Sequence, residues 1–189
     1  MRKAIIVFIL MALAQWLLPV WTIFEQHRIL SKGHVFHFRT APIDPHDPFR
    51  GEYVTLRFAI EDSLFTPEDP LDDGEEAIVI LKEIDGEAAI DRVQREQPEE
   101  NEAWIRAIVR ERYYPDTNNF TIDLPFDRYY LEEGTGLRTE EMVYRPQQDG
   151  AVTAHAVVRV YRGKAAIEDL VVGGRSVREI ILEERLRSE

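Results

Sequence analysis

Asp44-Pro45-His46-Asp47-Pro48-Phe49-Arg50-Gly51-Glu52-Tyr53-Val54-Thr55-Leu56-Arg57-Phe58 is the stretch that decides the fold. Pro45 and Pro48 fix φ, Asp44 and Asp47 can accept bonds from backbone N–H groups a few residues on, and Gly51 permits a left-handed conformation. Residues 51–60 then alternate: Val54, Leu56, Phe58 and Ile60 share one face, and Tyr53, Thr55 and Arg57 the other. Residues 34–41 alternate in the same way, with Phe36 and Phe38 opposite His37 and Arg39. Two strands therefore flank the turn at 42–50. They are expected to pair, with both phenylalanine sets in one core.

Strand signals continue downstream. Residues 77–84 are apolar and β-branched, Asp85-Gly86 is a tight-turn signal, and 88–95 returns as a weaker strand. Residues 99–112 carry helix-start features after Pro98, yet Ile105, Ala107 and Val109 alternate, so a strand is expected. Another strand is read at 120–124 and a short helix at 137–144. Residues 152–161 and 165–172 form a second hairpin across Arg162-Gly163-Lys164. After Gly173-Gly174, Ser176-Val177-Arg178-Glu179 has the capping-box pattern, which predicts a helix over 176–187. The sum is a mainly antiparallel β domain, sandwich-like or barrel-like, with few short helices.

Before this domain, residues 4–24 hold no charged side chain. About 20 helical residues cross a hydrocarbon core of roughly 30 Å. Arg2 and Lys3 precede the run and favour a cytoplasmic N-terminus, while Trp16 and Trp21 suit the outer interface. The rival reading is a cleaved signal, since Ala12-Leu13-Ala14 has the small-x-small form; the apolar run that continues through Trp21 favours retention. The expected organisation is a transmembrane anchor and flank at 1–29 and an extracytoplasmic β domain at 30–189, with residues 25–33 linking the span to the first strand. The bilayer is met through residues 4–24 of a single-pass protein of the cytoplasmic membrane.

The chain has 23 basic and 35 acidic residues. Setting aside Arg2, Lys3, Arg28 and Glu25 leaves 20 and 34 over residues 30–189, a net charge of −14. Such a surface repels phosphate backbones, so nucleic acid is not expected as a partner. With no cysteine there are no disulfides or thiolate metal sites.

Gly51-Glu52-Tyr53-Val54-Thr55-Leu56-Arg57-Phe58 resembles the signature of a bacterial family named for its Gly-Asp-Tyr-x-x-Leu-x-Tyr motif. Glu52 stands in place of Asp, and Phe58 in place of the final Tyr. Pro42, Asp44, Pro45 and Asp47 are similar to the family's Pro-x-Asp-Pro-x-Asp lead-in. Residues 126–136, with Tyr129 and Tyr130 entering Glu133-Gly134-Thr135-Gly136, resemble its second landmark. The resemblance implies an anchored extracytoplasmic β domain with membrane or envelope proteins as partners. It brings no catalytic residue and no cofactor.

Asp44, Asp47 and Glu52 are the best candidates for active carboxylates, as in glycan cleavage. Building the turn, with Arg50 pairing to one Asp, is the favoured role. Asp44, His46 and Asp47 could hold a metal, but no metal site is expected; His34 and His37 fall on opposite faces of a strand. The acidic stretch 68–76 lacks calcium-loop spacing because Leu71 takes a ligand position. Arg106, Arg110 and Arg112 read as surface ion-pair partners. Tyr53, Trp104, Tyr113, Tyr114, Tyr129 and Tyr130 could stack on a sugar or partner, although core filling is the commoner role. The expected function is a non-enzymatic accessory or interaction domain of the envelope. A carboxylate-dependent glycan hydrolase and a glycan- or small-ligand-binding sensor are the alternatives.

Overall fold

The computed structural model describes residues 2–41, 53–67, 69–99, 101–114, 117–132, 135, 139, 142–143 and 153–188. On the first helix the described side chains are those at 6, 8, 11, 12 and 14–32. That helix, α1 (Arg2–Lys32), leads into β1 (His34–Ala41), β2 (Tyr53–Thr55), β3 (Arg57–Phe58) and a 3-10 turn at Ala59–Asp62. Next come β4 (Glu76–Ile84), β5 (Glu87–Gln94), β6 (Trp104–Tyr114), β7 (Thr117–Asp123) and β8 (Arg128–Tyr130). The chain closes with β9 (Ala154–Tyr161), β10 (Lys164–Val172), β11 (Arg175–Ser176) and a helix at Val177–Ser188, here α2. Thr139, Met142 and Val143 are helical, and the rest of the helix expected at 137–144 lies outside the described residues.

The strands form a mainly antiparallel β architecture of two sheets and a small ladder. One sheet runs β11-β10-β9-β1-β3, the other β5-β4-β6-β7, and β2 pairs with β8 alone. Both tight hairpins use the chemistry their sequences advertise. Asp85 and Gly86 take φ of 52° and 82° between β4 and β5, and Arg162 and Gly163 take 47° and 80° between β9 and β10. Two successive residues in the left-handed region match the twist of the flanking strands. Residues 99–112 resolve in favour of the strand: β6 pairs with β4 through Val79↔Ile105 and with β7 through Val109↔Ile122, and all four side chains are buried.

Both sheets contribute to one hydrophobic core. Phe36, Phe38, Val158 and Leu170 come from the first, and Val79, Ile105, Val109 and Ile122 from the second. Phe38, Phe58 and Phe126 form an aromatic triangle with centroid separations of 5.4–5.6 Å, edges meeting faces. The sheets also meet through polar groups at their rims. Glu87 on β5 lies 3.0 Å from His155 Nε2 on β9 and 3.6 Å from Arg39 on β1.

Two expectations need correction. Residues 51–60 are not one strand paired to β1 throughout. β2 goes to β8, and only the short β3 pairs with β1, through Thr40↔Phe58 and Ala41↔Arg57. Leu56 N–H, at the break, donates to the Asp127 carbonyl at 2.6 Å. Residues 25–32 are not a linker either. The helix continues to Lys32, because Ile29 is buried against the domain, Glu25 pairs with Lys164, and Gly33 N–H donates to the Ile29 carbonyl at 2.9 Å.

Among the described residues no helix is long and apolar enough to cross a membrane. The structure by itself therefore does not support the expected span. The described face of α1 is nonetheless openly apolar: Trp16, Leu18 and Trp21 are 70%, 76% and 68% exposed.

Candidate functional site

The decisive stretch and the second landmark, far apart in sequence, form one ladder. Tyr53 faces Tyr130, Val54 faces Tyr129 and Thr55 faces Arg128. Alternation splits the ladder into an inner and an outer side. Val54, Leu56, Phe58 and Tyr129 point inward and are buried. Tyr53, Arg128 and Tyr130 point outward, with Tyr130 66% exposed. Their rings lie 5.8 Å apart, and the Arg128 guanidinium sits 5.0 Å over the Tyr53 ring. Contacts of this kind are worth of order 1 kcal/mol.

The inner side has a polar anchor. Tyr129 donates its phenol hydrogen to Asp169 Oδ1 at 3.1 Å, and Arg178 of α2 lies 5.4 Å over the ring. Burial pushes the phenol up to about 12, so Tyr129 stays a neutral donor at any ordinary pH. Asp169 follows a bulge in β10 between Ile167 and Asp169, which re-aims the strand at this point.

A carboxylate that the sequence reading passed over closes the decisive stretch. Glu61, in the 3-10 turn, accepts the Phe58 N–H at 2.9 Å through Oε2 and the Leu124 N–H at 3.0 Å through Oε1. Its pKa is raised above 4.5, chiefly by burial, with the two backbone donors opposing. An acid three residues after Phe58, as in a capping box, was the available signal. With both oxygens engaged, Glu61 joins the end of β3 to the exit of β7. It is not poised for chemistry.

Two clefts flank the outer face and share Tyr130 and Arg178. One, of about 550 Å³, lies between the α1 residues Gln26 and Leu30, Arg128 and Tyr130 of β8, and Ile167 and Glu168 of β10. The other, of about 450 Å³, separates Leu131 and Glu132 from Ile181, Leu182 and Arg185 of α2. Neither gathers a nucleophile beside a base among the described residues. Among the described residues no group of three His, Asp or Glu side chains could hold a metal ion.

Of the residues singled out by sequence, Tyr53, Leu56, Phe58, Tyr129 and Tyr130 fall on this ladder or its continuation. Asp44, His46, Asp47, Arg50, Gly51, Glu52, Glu133, Gly134 and Gly136 lie outside the described residues. Of the three arginines on β6, Arg106 and Arg110 pair with Glu76 and Asp123 at 2.8 and 2.7 Å, and Arg112 donates to Thr121. In the acidic loop, Glu75 binds Arg95 at 2.6 Å and Asp73 accepts the Glu111 N–H at 3.0 Å. His34 and His37 are both exposed on β1.

A family model described as GDYXXLXY protein matches residues 15–170. The chain belongs to the GDYXXLXY family. No curated protein and no solved structure matches it. In this member the described part of the GDYXXLXY signature alternates between two jobs. Val54, Leu56 and Phe58 build the core, while Tyr53 faces outward beside Tyr130.

Proposed function

We propose that this GDYXXLXY protein is a non-enzymatic accessory domain of the bacterial envelope, held by α1 in the cytoplasmic membrane with its N-terminus inside and its β domain outside. It binds or positions another membrane or envelope protein. The observation that carries the reading is the exposed apolar belt of α1. Trp16, Leu17, Leu18, Trp21, Ile23 and Phe24 are all exposed, on several sides of the helix. An apolar surface of this extent is stable only against lipid or another apolar partner. Towards the N-terminus the charge-free run extends it back to residue 4, giving the length a bilayer requires. Pro19 inside the helix is compatible with a lipid-embedded segment, where helix-breaking residues are tolerated. Crosslinking in membranes, followed by isolation of the full chain, should recover one defined envelope protein. Repeated recovery of the chain alone would count against the partner.

A second reading is favoured by one observation, the outward Tyr53–Arg128–Tyr130 surface between two clefts. It suits a glycan or small planar ligand, held by stacking rather than cleaved. The check is a rise in melting temperature with envelope oligosaccharides that Tyr130→Ala abolishes.

A further inference from the structure

One spot on the face that adjoins α1 is charged oppositely to the domain as a whole, although Glu76, Asp123 and Glu168 lie elsewhere on that face. The domain carries −14 overall and should be pushed away from an anionic bilayer. Where α1 meets the β9–β10 turn, however, Arg28, Arg162 and Lys164 line a cleft of about 210 Å³ together with Trp21, Phe24 and one acid, Glu25. The Arg28 guanidinium beside the Tyr161 hydroxyl, with Arg162 and Lys32 nearby, lowers the pKa of that phenol. Glu25 is already engaged by Lys164. Arg28 and Arg162 lie over the Tyr161 ring at 6.0 and 5.6 Å, and among the described residues neither pairs with a carboxylate.

Position along the helix is the second observation. The charge-free run ends at Phe24, and Arg28 follows one turn later, about 6 Å farther along the axis. With residues 4–24 in the hydrocarbon, that distance places Arg28 at the level of the lipid phosphates, and Trp21 at the interface beneath it. Guanidinium groups bind phosphate oxygens through paired N–H donors, and the aromatic rings that line the cleft suit the glycerol backbone.

We infer that this cleft binds the phosphate of an anionic phospholipid headgroup of the outer leaflet, seating the acidic β domain on its own membrane. The inference rests on the anchor reading above. The Tyr161 ring lies against both guanidinium groups, and Lys164 pairs with Glu25. The cleft thus presents cations where the domain as a whole presents anions.

The test uses the full chain in bilayer discs of phosphatidylcholine with about a quarter phosphatidylglycerol, reading the lipids retained by the protein in native mass spectrometry. The ratio of retained phosphatidylglycerol to phosphatidylcholine should exceed that of the bilayer by roughly 25-fold, about fivefold for each of the two guanidinium groups. Loss of each cation should reduce the enrichment by roughly fivefold, and Arg28→Gln with Arg162→Asn should abolish it. Asn is chosen at 162 because it tolerates the left-handed backbone there. An unchanged melting temperature shows that the variant is folded, and the wild-type enrichment should also fade with added salt. No enrichment in protein that resists alkaline extraction overturns the headgroup site and leaves the anchor standing. Protein that washes out in alkali overturns the anchor, and this inference with it. A melting-temperature rise with inorganic phosphate, without lipid enrichment, would make the cleft a soluble-anion site and overturn the lipid assignment.

Discussion

Val54 and Tyr129 lie directly opposite one another in the β2–β8 ladder, both buried, and they join the signature strand to the second family landmark. Through Tyr129 the ladder is tied to β10 by Asp169 and to α2 by Arg178. One buried phenol therefore connects three segments that the sequence keeps apart.

Tyr129→Phe should cost about 1 kcal/mol, the worth of one buried hydrogen bond, and Tyr129→Ala roughly 3–5 kcal/mol from lost packing. The pH dependence has a defined sign. The folded phenol titrates at about 12 against an ordinary 10, so its contribution is complete below pH 10 and is lost as pH rises towards 12. Urea unfolding of wild type and Tyr129→Phe across this window should show the alkaline loss in wild type only.

Glu61→Ala leaves the Phe58 and Leu124 N–H groups without their acceptor and should cost about 2 kcal/mol or more. Because burial raises the folded pKa above 4.5, the stabilisation from Glu61 is fully present below pH 4.5. It declines as pH rises through the folded value. The gap between wild type and variant in chemical denaturation should therefore narrow with rising pH. A gap that widens would contradict the role assigned to burial.

Gly163 and Gly174 share a φ of about +80°, but their surroundings differ. A Cβ at Gly163 would meet the Trp104 ring at 2.2 Å, whereas nothing lies within 4 Å at Gly174. Gly174→Ala should cost about 1 kcal/mol, the left-handed penalty alone. Gly163→Ala should cost roughly 3 kcal/mol, with overpacking added. It would also disturb the Gly163–Trp104 and Arg106–Gly163 backbone bonds, which tie the hairpin tip to β6. Thermal melts of the two variants separate conformational from steric cost.

In the acidic loop, the Arg95 guanidinium holds the Glu75 carboxyl down at about 2. The folded value lies below the ordinary one, so the pair contributes above pH 4.5 and its contribution fades as pH falls towards 2. Arg95→Gln should raise the Glu75 pKa towards the ordinary carboxylate range, with the Asp72 N–H bond to Oε2 still holding it lower, as read by carboxyl NMR titration.

The hairpins were legible because Asp85-Gly86 and Gly163 act locally, in residue types that favour a left-handed backbone, with Arg162 drawn into it beside Gly163. The inward face Val54, Leu56, Phe58 and Ile60 was legible from alternation, and all four are buried. What alternation cannot carry is the identity of a strand's partner. The change from β8 to β1 after Thr55 depends on the Asp127 carbonyl and on Glu61, contacts made across the fold. The extension of α1 to Lys32 was hidden for the same reason, since it is fixed by burial of Ile29 and by Lys164. At the site, the outward tyrosines were visible as residue types. Their meeting required the ladder itself.

In the proposed topology α1 lodges in lipid and the folded acidic module lies beyond the bilayer. The most direct measurement fuses the C-terminus, in separate strains, to a phosphatase active only outside the cytoplasmic membrane and to a fluorescent protein that matures only inside. The expected result is an active phosphatase, a dark fluorescent fusion, and a chain that stays with membranes through alkaline extraction. A bright fusion with silent phosphatase, released by alkali, would contradict it.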